Sequence, residues 1–119
     1  MSVVNCKVKY IRPKYNNLKE WFDDYENNYY IGRAGIVFIN KERFPKKTSL
    51  FHNPFKIDKD NTREDVIKKY KKYIKQKIKN DNKFKNELLN LKNKNLGCWC
   101  HPEPCHGDVL LKIIKKIVT

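Results

Sequence analysis

Three of the chain's four cysteines and two of its three histidines fall within residues 98–106, inside the stretch GCWCHPEPCHGDVLLKII that runs from Gly97 to Ile114. Thiols and imidazoles at this density suit three kinds of chemistry. The first is metal binding: Cys98, Cys100, Cys105 and either His106 or His101 supply four N/S ligands, which makes zinc the cofactor of this alternative. Its spacing is unusual, because on a regular strand Cys98 and Cys100 point to one face about 6.5–7 Å apart, so a shared tetrahedral ion needs a local kink. The second distant ligand pair of small structural zinc sites is also missing. The second chemistry is nucleophilic catalysis by Cys105 with His106, Asp108 being close in sequence, although adjacent residues of a helix point about 100° apart. The third is anion binding, in which Cys105, His106, Gly107 and Asp108 surround a helix N-terminus whose N–H groups and dipole attract a phosphate and also ease ionisation of a thiol. Set against all three is a buried, cysteine-rich strand packed by Trp99.

The elements that must position these residues are legible from periodicity. Leu96–Cys100 is short and apolar and reads as a buried strand. Pro102 and Pro104 then forbid regular structure until a helix begins near Cys105. That helix carries Val109, Leu110, Ile113, Ile114 and Ile117 on one side and Lys112, Lys115 and Lys116 on the other. At the other end of the chain, VVNCKVKY (residues 3–10) alternates Val4, Cys6, Val8 and Tyr10 on one face, the period of a half-buried strand, with Cys6 a core residue. Asn17 caps a short helical turn bearing Leu18, Trp21, Phe22 and Tyr25. The segment YYIGRAGIVFIN (residues 29–40) reads as two strands separated by a bend at Gly32–Gly35, with Asn40-Lys41 as the exit.

Residues 41–61 form a long loop pinned by Phe44, Leu50, Phe51 and Phe55, and loops of this length inside a small domain are often functional. Thr62 and Asp65 then compose a capping box. The helix it starts keeps Val66, Ile67, Tyr70, Ile74 and Ile78 on one stripe and lysines on the other faces. Asn80–Asn82 breaks it and opens another helix with Phe84, Leu88 and Leu91 inward.

The chain of 119 residues is expected to be one domain, residues 1–119. Its formal net charge of +14 makes a polyanion the first partner to consider, although a solvated lysine face accounts for much of such charge. The chain has no apolar run near the roughly 20 residues a bilayer span requires, and its start is unlike a signal peptide. We therefore expect no membrane association, an intracellular, cytoplasmic setting and reduced thiols.

Taken together, YIGRAG, the HNPF of residues 52–55, the NTRED of residues 61–65 and LGCWCHPEPCHGDVL resemble the domain of unknown function 4326 family, from about residue 3 to residue 118. The recurring elements of that family fall on Ile31, Gly32 and Arg33, on Asn53, Pro54 and Phe55, on Arg63, and on Cys98 to His106. Phe51 and His52 stand where a tryptophan-glycine pair often precedes Asn-Pro-Phe. Members occur in phages, large DNA viruses and microbes, so the resemblance implies a host cytoplasm or a virion for a viral protein. It implies a fold and a site rather than a reaction. A weaker likeness, confined to the strand and the Cys-His at a helix start, is to the domain of unknown function 488 family.

The expected fold is α/β: a small, mostly parallel sheet with strands near 3–10, 29–32, 36–39 and 96–100, flanked by helices in a Rossmann-like three-layer arrangement. Ligands of such sheets sit beyond the carboxyl ends of the strands. The leading expectation is that Arg33, Asn53, Arg63 and the helix start at Cys105–Asp108 converge on a phosphate-bearing ligand, a nucleotide or a nucleic-acid end. The alternatives are a zinc-stabilised nucleic-acid-binding module and a thiol-dependent enzyme using Cys105.

Overall fold

The structure is a computed structural model and describes residues 2–118. Its elements are β1 (Ser2–Asn5), α1 (Val8–Ile11), α2 (Leu18–Asp23), β2 (Asn28–Tyr30), β3 (Val37–Ile39), β4 (Glu42–Phe44), α3 (Arg63–Asn80), α4 (Asn82–Leu89), β5 (Asn95–Cys98) and α5 (His106–Val118). β1, β5 and β2 form a parallel sheet in that order, with Val3 opposite Leu96 and Tyr29 opposite the same residue on the other side. The last strand in sequence is thus the central one. A parallel neighbour cannot be reached by a hairpin, so each connection carries helices across a face of the sheet.

Alternation along β5 divides the interior. Leu96 and Cys98 face a core built with Tyr70 and Ile74 of α3, Leu88 of α4, and Leu110 and Ile114 of α5. Gly97 faces the opposite side, where Cys6, Leu18, Trp21 and Tyr30 cluster with Phe22, Phe44 and Trp99. Helices therefore cover both faces, in accordance with the expected α/β fold. A Cβ on Gly97 would overlap Cys6 Sγ and the Trp21 ring, so glycine is required for the α2 layer to approach the central strand.

The helix starts follow their caps. Thr62 and Asp65 make the reciprocal bonds of a capping box at α3, Asp81 Oδ1 accepts from Phe84 N–H at α4, and Asn17 Oδ1 accepts from Glu20 N–H at α2.

The strands expected at 29–32 and 96–100 differ only at their ends, the second stopping at Cys98, and two others differ more. The first ends at Asn5 rather than Tyr10, because Asn5 Oδ1 accepts the N–H of Lys7 and residues 8–11 form a helical turn that buries Ile11 and exposes Val8 and Tyr10. The strand at 37–39 does not join the parallel sheet. It pairs antiparallel with β4 across Asn40 and Lys41, both with positive φ (51° and 68°), as a two-residue hairpin loop requires. Among the described residues, no helix is long and apolar enough to cross a membrane.

Candidate functional site

The carboxyl ends of the three parallel strands meet at one edge, where the chain leaves β5 into the Cys-Trp-Cys loop and leaves β2 into Ile31–Arg33. Three sets of hydrogen bonds hold that edge. Asn5, 7% exposed, donates from Nδ2 to the His101 carbonyl at 2.7 Å and accepts from Lys7 N–H at 2.9 Å, which ties the loop to β1. The Trp99 indole N–H donates to the Tyr30 hydroxyl at 2.7 Å, which donates to the Arg33 carbonyl at 2.6 Å. Burial pushes the Tyr30 hydroxyl up to about 12, so it remains a protonated donor at neutral pH. Finally, the His106 ring nitrogen Nε2 lies 2.7 Å from the Ile31 carbonyl. A carbonyl only accepts, so Nε2 carries the proton.

Burial pushes His106 down to about 4, and its ring stands edge-on to Tyr70 with centroids 5.0 Å apart. At neutral pH it is an uncharged imidazole that clamps the start of α5 to the end of β2. Gly107 reinforces the clamp by close approach: a Cβ there would come within 2.9 Å of Ile31 Cδ1 and 3.1 Å of Val3 Cγ1.

The start of α5 is capped by its own side chains. Cys105 N–H donates to Asp108 Oδ2 at 3.0 Å, and Gly107 N–H donates to Cys105 Sγ at 3.3 Å. The thiol acts as an N-cap side chain, accepting from the second helical N–H, while Asp108 accepts the N–H of the cap residue and supplies the negative charge that the helix dipole favours. Two of the helix-start N–H groups are thus already engaged within the chain.

Cys98 Sγ lies 3.3 Å from Cys105 Sγ. The hydrogen bond from Cys105 lowers the Cys98 thiol to about 6 against the opposing effect of burial, with the backbone N–H groups of His101 and Cys100 adding to the shift. Cys105 is raised by the same contact, so the pair gives up its first proton more readily than a free thiol and its second less readily. Burial raises Cys6, which lies in the core as its alternation indicated. The zinc set does not assemble. His106 is turned to the Ile31 carbonyl, Cys100 lies beside the Arg63 guanidinium, His101 is exposed, and no three His, Cys, Asp or Glu side chains among the described residues are grouped to hold a metal.

Arg33, Asn53, Arg63, Cys105 and His106 line one cavity of about 410 Å³; Gly107 and Asp108 do not. This volume falls within the range of small-molecule sites. Arg33 is aimed by a bond from Nη2 to the Asn53 carbonyl at 2.7 Å, and the Asn53 side chain holds its own turn by accepting from Phe55 N–H at 2.9 Å. Arg63, in the first turn of α3, donates from Nη1 to the Pro104 carbonyl at 3.1 Å and pairs through Nε with Glu103 at 3.3 Å. Each guanidinium has five N–H donors, and these contacts engage only part of each fork. Phe55, Ile57 and Ile36 supply apolar wall, and Cys98 lies at the floor. Tyr70 steadies the Asn53 loop from below, its buried hydroxyl donating to the Phe51 carbonyl at 2.6 Å.

Sequence reasoning singled out Arg33, Asn53 and Arg63 but not Asn5, Tyr30, Tyr70 or Trp99 as the residues that position them. Their only sequence signal is a polar tip on a residue inside an apolar segment, where a buried hydroxyl, indole or amide has to find a partner.

The family described as "Domain of unknown function (DUF4326)" matches residues 15–116. An "Uncharacterized 12.4 kDa protein in nrdA-td intergenic region" of Enterobacteria phage T4 is 37% identical over 91 residues, covering 73% of this chain and 83% of that protein. No solved structure matches.

Proposed function

We propose, for a chain that belongs to the DUF4326 family, that the cavity beyond the parallel strands binds a phosphate-bearing ligand, a nucleotide or a nucleic-acid end. The observation that carries this reading is the convergence of Arg33 and Arg63, thirty residues apart in sequence, on one cavity with Asn53 between flanking apolar walls. Forked guanidinium donors suit phosphate oxygens, and Phe55 with Ile57 offers an apolar surface to a base or sugar. The net charge of +14 draws a polyanion toward the site. With Asp108 and the Cys105 sulfur occupying the helix start, recognition rests on the two arginines rather than on free helix amides.

Calorimetric titration with a nucleoside and its mono-, di- and triphosphates tests the reading. Affinity is expected to rise with phosphate number. Charge-assisted bonds are worth about 1.5–3 kcal/mol each, so an Arg33→Ala, Arg63→Ala double variant is expected to bind about 100-fold more weakly or worse. Equal affinity of wild type and double variant would overturn it.

A second reading rests on the Cys98–Cys105 contact. A thiol-dependent reaction in this cavity would use Cys98 as nucleophile, with Cys105 holding the proton and His106 engaged elsewhere. Cys98→Ser would then abolish turnover while leaving ligand affinity intact; turnover that survives the change would dispose of it.

A further inference from the structure

The lysines of the chain are unevenly placed. Residues 66–80 carry seven lysines and no acidic residue, and residues 109–119 carry three lysines and no acidic residue, whereas five of the thirteen acidic residues lie between residues 20 and 42. α3 and α5 pack side by side, and a groove of about 700 Å³ runs between them. Lys71 and Lys75 rim it from α3, and Lys112, Lys115 and Lys116 rim it from α5. Asp108 is the one acidic residue on its wall, and its carboxylate is turned to the Cys105 N–H at 3.0 Å.

This groove borders the cavity described above: Ile67, Pro104 and Cys105 line both. On its outer side, Lys71 and Lys75 also border a shallow depression with Lys68, Lys72 and Lys79, so one cationic surface extends along α3. Lys71 and Lys75 are four residues apart, about 6 Å along the helix axis, a repeat comparable to the step between phosphates of an extended strand. A free nucleotide has no use for a cationic track leading away from its pocket. A polymer does.

We propose that the ligand is the end of a single-stranded nucleic acid, its terminal nucleotide seated between Arg33 and Arg63 and its backbone leaving along the groove between α3 and α5. The inference rests on the cavity reading above and adds to it the class of ligand. The floor of the groove carries Val109, Leu111 and Ile113, which offer apolar contact to bases while the lysines meet the phosphates.

The test compares a 5′-phosphorylated, single-stranded 12-nucleotide oligomer, followed by fluorescence anisotropy, with the corresponding nucleoside monophosphate, followed by calorimetry. Both are titrated into wild type and into a Lys71→Gln, Lys75→Gln, Lys112→Gln variant, whose changes lie on exposed helix positions. The oligomer is expected to bind wild type more tightly than the mononucleotide, to lose about 10- to 30-fold in the triple variant, and to show a salt-dependence slope reduced by about 2. Mononucleotide affinity is expected to be unchanged. Oligomer affinity that survives the triple change, or that never exceeds mononucleotide affinity, overturns the strand proposal and leaves the cavity reading standing. Lysine-dependent oligomer binding with no mononucleotide binding, unaffected by the Arg33 and Arg63 changes, overturns the cavity reading and the seating of the end with it.

Discussion

Replacing His106 by glutamine is expected to flatten the pH dependence of stability between pH 4 and 6.5. In the native protein burial holds the imidazole neutral down to about 4, against 6.5 for an unconstrained histidine. Between these values the unfolded chain binds a proton that the native chain does not, so stability falls as pH falls. Above pH 6.5 neither state is protonated and the group imposes no penalty. The drop from 6.5 to about 4 is worth on the order of 3 kcal/mol, lost progressively from pH 6.5 to 4. Other groups act in different windows. Cys98, lowered from 9.0 to about 6, contributes stability that is complete above pH 9 and lost as pH falls through 6, and the lowered carboxyls of Asp24, Asp58 and Asp65 act below 3.8. A glutamine amide preserves a donor toward the Ile31 carbonyl and does not titrate. Urea unfolding followed by tryptophan fluorescence at half-unit steps from pH 4 to 8 reads the difference. Wild type should lose about 2–3 kcal/mol relative to the variant over the lower half of that range. Parallel curves for the two proteins would refute the assignment of His106 as a buried neutral clamp.

Gly97→Ala is expected to cost more than about 3 kcal/mol in denaturant unfolding, because the new methyl overlaps Cys6 Sγ and the Trp21 ring on the far side of the central strand; a loss below 1 kcal/mol would contradict that packing. Trp99→Phe removes the indole N–H at 2.7 Å from the Tyr30 hydroxyl and is expected to cost about 1 kcal/mol while weakening nucleotide affinity through the Arg33 turn. Unchanged affinity would detach Trp99 from the site. Site-resolved mass spectrometry of iodoacetamide labelling is expected to show the partly exposed Cys100 reacting first and, among the three buried thiols, Cys98 ahead of Cys6 and Cys105, with a half-maximum well below pH 9. A half-maximum near 9 would remove the thiolate from Cys98.

What could be read in advance depended on whether local chemistry decided the outcome. Thr62 with Asp65, Asp81 and Asn17 cap the helices they were expected to cap, since a side-chain oxygen just ahead of an apolar stripe is a local instruction. The strand expected at Leu96–Cys100 was legible except for its end, which the structure puts at Cys98. The extent of β1 was not, because Asn5 ends the strand with bonds to Lys7 and His101, and the second of these is fixed by a loop 96 residues away. Nor was the fate of residues 37–39: alternation of apolar residues marks a strand without naming its partner, and the positive-φ pair Asn40-Lys41 turned it back on β4. At the candidate site, Arg33, Asn53 and Arg63 were found as residue types. The side-chain capping of α5, the engagement of His106 by Ile31 and the pairing of Cys98 with Cys105 needed three-dimensional placement.

The most direct measurement of the central claim is a nitrogen-15 spectrum of the arginine side chains and the backbone during titration with a nucleoside triphosphate. The Nε–H signals of Arg33 and Arg63 are expected to shift together, along one saturating curve shared with the amides of Asn53 and Phe55, while the amides of α4, which does not line the cavity, stay still. Shifts confined to the lysine faces of α3 and α5, or no saturating shift of the two arginines at millimolar nucleotide, would contradict the claim that this cavity binds a phosphate-bearing ligand.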